Sequence, residues 1–177
     1  MNVILLGPQG SGKGTQAELL AQKFGLQYFE AGKILRSVID PAIQEKLKRG
    51  ELVPDEYMLT LVEEFLKNHN LDKGILFDGY PRSVAEYEDL KKVLGSLNLR
   101  IDWVINIEIS PGESVRRLLK RGRADDHPDS IQRRLSTYRA QTHPVFEMAV
   151  GEGIGFEVNG EQPIDKVFQN IVAKLSP

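Results

Sequence analysis

The sequence of 177 residues contains no cysteine. Disulfides and thiolate metal sites are therefore excluded, which agrees with a reducing compartment. Long apolar runs are also missing, and none approaches the roughly 20 residues that cross a bilayer. There is no internal repeat, low-complexity tract or long linker. Neither charge sign dominates: 23 Lys and Arg face 25 Asp and Glu, a net charge of −2. A general nucleic-acid surface is thus not indicated. Met1 leads straight into an apolar stretch, so no signal peptide is expected and a cytoplasmic location is. What remains is a chain with 41% hydrophobic and 27% charged residues. That composition fits one soluble globular domain with a proper core.

The most informative stretch is the first sixteen residues. Val3 to Leu6 form an unbroken apolar run, as in a strand buried on both faces. Gly7, Gly10, Gly12 and Gly14 come within the next eight residues, and Ala17, Leu19, Leu20, Ala21 and Phe24 then recur at helical spacing. The order is strand, glycine loop, helix. Glycines let successive N–H groups turn inward, and the new helix adds unpaired N–H groups and its positive end. Lys13 contributes a movable cation and Thr15 a hydroxyl. The phosphate-loop pattern G-x-x-x-x-G-K-[ST] is met at Gly7, Gly12 and Lys13, except that Gly14 precedes Thr15.

Further along, short apolar stretches alternate with helical patterns. Strands are expected at Leu26–Phe29, Gly74–Asp78, Ile101–Ile109 and Ile154–Val158. Helices are expected over Lys13–Lys23, Ala31–Ile39, Ala42–Lys48, Glu56–Asn68 with Asp55 as cap, Ser83–Leu94, Pro111–Lys120, Pro128–Arg139, Pro144–Val150 and from Pro163 onward. Alternation of this kind predicts an α/β fold, a parallel sheet with helices on both faces. Such sheets bind ligands at the carboxyl ends of their strands, where Gly7, Asp78 and Gly160 all fall.

A buried strand ending in Asp78 is the second half of a phosphate-loop site, with the acid near Mg²⁺, usually through water. Phosphoryl transfer requires alignment and positive charge on the moving oxygens. Arg36, Arg82, Arg117, Arg121, Arg123 and Arg134 can supply that charge, since guanidinium groups fork onto phosphate. Residues 112–140 alone hold eight Lys or Arg against four Asp or Glu. Arg82 comes four residues after Asp78, through Gly79, and so faces the same crevice.

Gly7–Gln16, Gly50-x-Leu-Val-Pro-Asp55, Phe77-Asp-Gly-Tyr-Pro-Arg82, Arg123-x-Asp-Asp126 and Arg134-Leu-x-x-Tyr138-x-x-x-Thr142-x-Pro144 resemble, as a set, the adenylate kinase family of nucleoside monophosphate kinases. The likeness runs over essentially the whole chain. It implies a P-loop fold with a five-stranded parallel core (1–29, 61–120, 127–177), a helical monophosphate-binding insert over 30–60 and a short lid over 121–126. It also implies transfer of the ATP γ-phosphoryl to a nucleoside monophosphate with Mg²⁺, by a monomer. Gly10, Ser11, Gly12, Lys13, Gly14 and Thr15 would hold the ATP phosphates, with Arg117 and Gln162 at its base. Ala31, Gly32, Arg36, Val53, Gly79, Arg82, Glu86, Arg123 and Arg134 would hold the acceptor. Arg121, Arg123 and Arg134 would surround the transferring group, oriented by Asp125 and Asp126.

Three positions depart from the family pattern. Only Gly122 separates the lid arginines, so weaker closure and some ATP hydrolysis are expected. Without cysteine ligands no zinc is expected, and His127 and His143 read as loop histidines. Ala31-Gly32-Lys33 replaces the usual Thr-Gly-Asp, leaving Lys33 either beside the acceptor phosphate or in solvent. Glu86 stands where the family has a Gln that reads adenine. An ionised Glu only accepts hydrogen bonds, which would favour guanine unless it is protonated, turned away or neutralised by Lys33. The readings open at this stage are an AMP kinase, a kinase for GMP, UMP or CMP, and a nucleotide-binding regulator.

Overall fold

A computed structural model describes residues 1–49, 51–123 and 126–176 of the chain. The elements run β1 (Val3–Leu6), α1 (Lys13–Phe24), β2 (Gln27–Glu30), α2 (Ala31–Ser37), α3 (Pro41–Arg49), α4 (Asp55–Asn68) and β3 (Ile75–Asp78). They continue with α5 (Val84–Ser96), β4 (Trp103–Glu108), α6 (Pro111–Arg121), α7 (Pro128–Thr137), a π turn (Tyr138–Thr142), α8 (His143–Gly151), β5 (Gly155–Asn159) and α9 (Ile164–Leu175). The five strands lie in the order β2-β3-β1-β4-β5, all parallel, as the alternating pattern predicts.

Two cores flank the sheet because successive strand residues point to opposite faces. From β1, Val3 and Leu5 join Ala17 and Leu20 of α1 and Val167 and Ile171 of α9. Ile4 and Leu6 join Val62 of α4, Leu90 of α5 and Val145 of α8 on the other face. All four β1 residues are buried, which is why this strand reads as a continuous apolar run.

Local signals set the element ends. Gly25 closes α1 in the left-handed conformation at φ 68°, where a side chain would be strained. Ser83 caps α5 by accepting from Glu86 N–H, and Ser110 caps α6 ahead of Pro111.

Some boundaries differ from the sequence expectation. Asp55 is the first residue of α4, with Pro54 at the cap, and its carboxylate still lies in the first turn at the positive helix end. Helix α2 stops at Ser37, because Val38 is extended at ψ 131° ahead of Asp40-Pro41. The expected helices before and after Pro144 are joined by the π turn. Pro144 has no N–H to donate back along the helix, and the turn ahead of it widens.

Candidate active site

The carboxyl ends of β1, β2 and β3 open into a cleft of about 500 Å³. The glycine loop forms its floor. Gly7 has φ +144°, and a Cβ there would lie 2.3 Å from the Ile107 carbonyl, so only glycine lets the loop leave β1 this closely. Gly12 caps α1 with no side chain, so the cap leaves the first-turn N–H groups to the cleft that Gly12, Lys13, Gly14 and Thr15 line.

Lys13 curls back onto the loop. Its Nζ donates to the Gly7 carbonyl at 2.5 Å and the Pro8 carbonyl at 2.9 Å. Lost hydration pushes its ammonium down from 10.5 to about 8; Asp78 opposes this shift, and Arg82 and Arg121 add to it. Burial first, and the neighbouring cations second, thus disfavour the charged form, which an anion in the cleft would offset. Asp78 ends β3 level with Leu5 of β1, and its Oδ2 accepts the Tyr28 hydroxyl at 3.1 Å. Burial and the neighbouring Asp78 raise the Tyr28 pKa, so the hydroxyl stays a donor.

The opposite wall carries Arg36 and Arg82. Arg36 pairs with Glu30 at 3.3 Å, both side chains partly exposed. Arg82 donates from Nε to the Gly79 carbonyl at 2.7 Å. Burial lowers its pKa, opposed by Glu86 and Asp78. Above the floor, Asp126 is a buried hub. It accepts Arg121 Nε at 2.9 Å and Nη2 at 2.7 Å, accepts the Arg123 N–H at 3.1 Å, and lies 3.7 Å from Arg134. The Arg121 pair is bidentate, which fixes the plane of the guanidinium. Gly122 makes the turn out of α6 at φ 62°. Arg117 is held at the edge of the loop by the Gly10 and Gly160 carbonyls, at 3.3 and 3.0 Å. Asp125 lies outside the described residues.

One cleft therefore gathers Gly10, Gly12, Lys13, Gly14, Thr15, Gly32, Arg36, Asp78, Gly79, Arg82, Arg117, Arg121, Arg123 and Arg134. Other residues singled out from the sequence lie off its lining. Ser11 is buried beneath the loop, and Ala31 and Val53 are buried in the core. The Oε1 of Gln162 accepts from Asn170. Lys33 is exposed and off the lining. Glu86 is buried, its Oε2 accepting the Arg82 N–H at 2.5 Å, and burial pushes its carboxyl up to about 7. It is turned from the cleft and holds the chain that bears Arg82.

Tyr28, Glu30 and Thr142 also line the cleft, and sequence reasoning assigns them no role there. Glu30 is the one with a usable signal. It ends β2 opposite Asp78, so the rule that selects a strand-ending acid applies to it equally.

Sheet order, glycine loop and strand-ending acid define a phosphate-loop protein of the α/β class. A family model described as adenylate kinase matches residues 5–153. The chain belongs to the adenylate kinase family. It is similar to an adenylate kinase of Prochlorococcus marinus (strain NATL2A), 39% identical over 179 residues, covering 98% of this chain and 97% of that protein. An adenylate kinase of Phocaeicola vulgatus is 33% identical over 185 residues, covering 99% and 98%. One of Methanosarcina barkeri is 31% identical over 211 residues, covering 99% and 98%. That last alignment is longer than this chain of 177 residues, so the archaeal relative carries residues that have no counterpart here.

Proposed function

We propose that the chain transfers the γ-phosphoryl group of ATP to AMP, giving two ADP, with Mg²⁺ and as a cytoplasmic monomer. The observation that carries this is a single cleft lined by two separate cationic groups of residues, each suited to a phosphate. The loop with Lys13 forms one, and Arg36 with Arg82 forms the other. A protein that only sensed one nucleotide has no use for the second. The adenylate kinases named among its relatives support the choice of acceptor.

In this reading an oxygen of the AMP phosphate attacks the γ-phosphorus, and the bond to the bridging oxygen of ATP breaks, with ADP leaving. Lys13 and the loop N–H groups hold the donor phosphates. Arg36 and Arg82 hold the acceptor phosphate in line. Arg121, Arg123 and Arg134 meet the charge on the moving group, and Asp126 keeps Arg121 and Arg134 aimed. Residues 30–60 serve as the acceptor insert and 121–126 as the lid. Among the described residues no three His, Cys, Asp or Glu cluster as a metal cage. Magnesium bound through phosphates needs only one or two carboxylates. Asp78 fits, since it lines the cleft beside the loop and Tyr28 engages its Oδ2. When bound, the ion would supply positive charge against the donor phosphates.

Glu86 gives no ground for another acceptor, because its carboxylate is committed to the Arg82 backbone. The test is an acceptor assay with ATP, Mg²⁺ and each of AMP, GMP, CMP and UMP. AMP should be the strongly preferred acceptor. Equal or better turnover with another monophosphate refutes the assignment.

A further inference from the structure

Arg82 is gripped on both sides of its own backbone. Its N–H donates to Glu86, and its carbonyl accepts the Thr142 hydroxyl at 2.8 Å. Thr142 is buried, lines the cleft, and ends the π turn. The same turn begins at Tyr138, whose hydroxyl donates to the fully buried Asn106 of β4 at 2.7 Å. Just upstream, the last turn of α7 carries Arg134. One continuous helical segment thus bears an arginine of the rim, is bolted to the sheet at Asn106, and takes hold of the Arg82 backbone. A π turn inserts an extra residue, which rotates the downstream residues by roughly 100° relative to an uninterrupted α-helix.

We propose that Thr142 is a positioning residue for the acceptor: its hydroxyl fixes the Arg82 carbonyl and so sets where the Arg82 guanidinium meets the acceptor phosphate. The extra residue of the π turn aims the hydroxyl there. This rests on the reading that Arg82 grips the acceptor phosphate. Packing alone does not call for threonine at this position, since valine has nearly the same shape and only the hydroxyl can donate. A carbonyl that loses its buried donor leaves the Arg82 backbone free to shift. Misplacement of about an ångström at a phosphate grip weakens binding and alignment together.

The experiment compares Thr142→Val, Thr142→Ser and Thr142→Ala with the parent. KM for AMP and for ATP, AMP affinity by calorimetry without ATP, and Tm are measured. Thr142→Val should weaken AMP, in both KM and Kd, by about tenfold, the scale of one lost buried hydrogen bond. KM for ATP should stay within about twofold, and Thr142→Ser should restore AMP binding to within about twofold of the parent. If Thr142→Val does not fold, weaker AMP binding by Thr142→Ala than by Thr142→Ser supports the proposal, and equal binding by the two overturns it. Parent-like AMP affinity in Thr142→Val, or equal loss for AMP and ATP that tracks Tm, also overturns it. Arg82→Ala run alongside separates the two levels. Unchanged AMP KM in that variant removes both the grip and the proposal. A large rise there beside a silent Thr142→Val removes the proposal alone.

Discussion

On the floor of the cleft, Asp78 stands at a strand end whose position the ladder fixes, and Lys13, the first residue of α1, bonds to the loop that carries it. On the rim, Arg36 is tied to Glu30 and Arg121 to Asp126, side chain to side chain. The difference teaches how each part meets its ligand. The floor is preformed, because backbone geometry cannot relax without breaking the sheet. On the rim, Glu30 takes Nη2 of Arg36, a position for which the proposed acceptor phosphate would compete. The Arg36–Glu30 pair is partly exposed, and such pairs contribute only about 0–1 kcal/mol. In the proposed function, a doubly charged acceptor phosphate displaces Glu30 at little cost. Asp126 differs from Glu30 in being buried, and so acts as a fixed bracket rather than an exchangeable partner.

The largest test of this contrast is Lys13→Met, which should lower kcat/KM by about a thousandfold in a coupled assay, with the fold intact by circular dichroism. A loss below tenfold would erase the distinction between floor and rim. Next comes Asp126→Asn. Removing the charge from a buried hub leaves Arg121 and Arg134 poorly aimed, so kcat should fall about tenfold and Tm by several degrees. Unchanged kcat would make Asp126 a stability residue only.

A pH titration sharpens the comparison further. In the ligand-free protein the Lys13 ammonium sits at about 8. It therefore loses its charge as pH rises through 8, well before an ordinary lysine would. ATP affinity should begin to fall in that range. Calorimetry from about pH 6.5 to about 9.5 checks this, and a flat ATP profile contradicts it.

The smallest effect belongs to Glu86. Its carboxyl is raised from 4.5 to about 7 in the folded protein, so folding favours its protonated form. Its contribution to stability is full below about 4.5 and is lost as pH rises through about 7. Glu86→Gln cannot titrate. Its Tm relative to the parent should therefore improve by a few degrees between about pH 5 and about pH 8. A Tm difference that does not change with pH would show that Glu86 is solvated in the native state.

The floor was legible in the sequence because its signals are local. An apolar run, glycines at fixed spacing and a lysine among them are all contained in sixteen residues. The parallel sheet was legible from alternation. The rim was legible as composition, an excess of arginine, but not as pairing. Which carboxylate takes which guanidinium depends on contacts such as Arg36 with Glu30 that only packing defines. Glu86 shows the limit most clearly. Its position suggested a base reader, yet burial and the N–H of Arg82 turned its carboxylate inward. Thr142 lay in plain view within a motif, but its partner is a backbone atom 60 residues away, and no side-chain pattern announces that. Pro144 marked a break in the helix without showing that the break is a widened turn.

The parallel ladder also acts as a ruler. Asp78 lies level with Leu5 on one side and Glu30 on the other. The acid is thus offset from the first loop glycine by two strand residues, about 7 Å along β1. Insertions outside β1 and β3 leave this interval untouched. Deleting one residue within β3 would instead swing the Asp78 carboxylate to the opposite face of the sheet. Residues can therefore be lost at the edges of the sheet while the interval between Asp78 and the glycine loop stays the same.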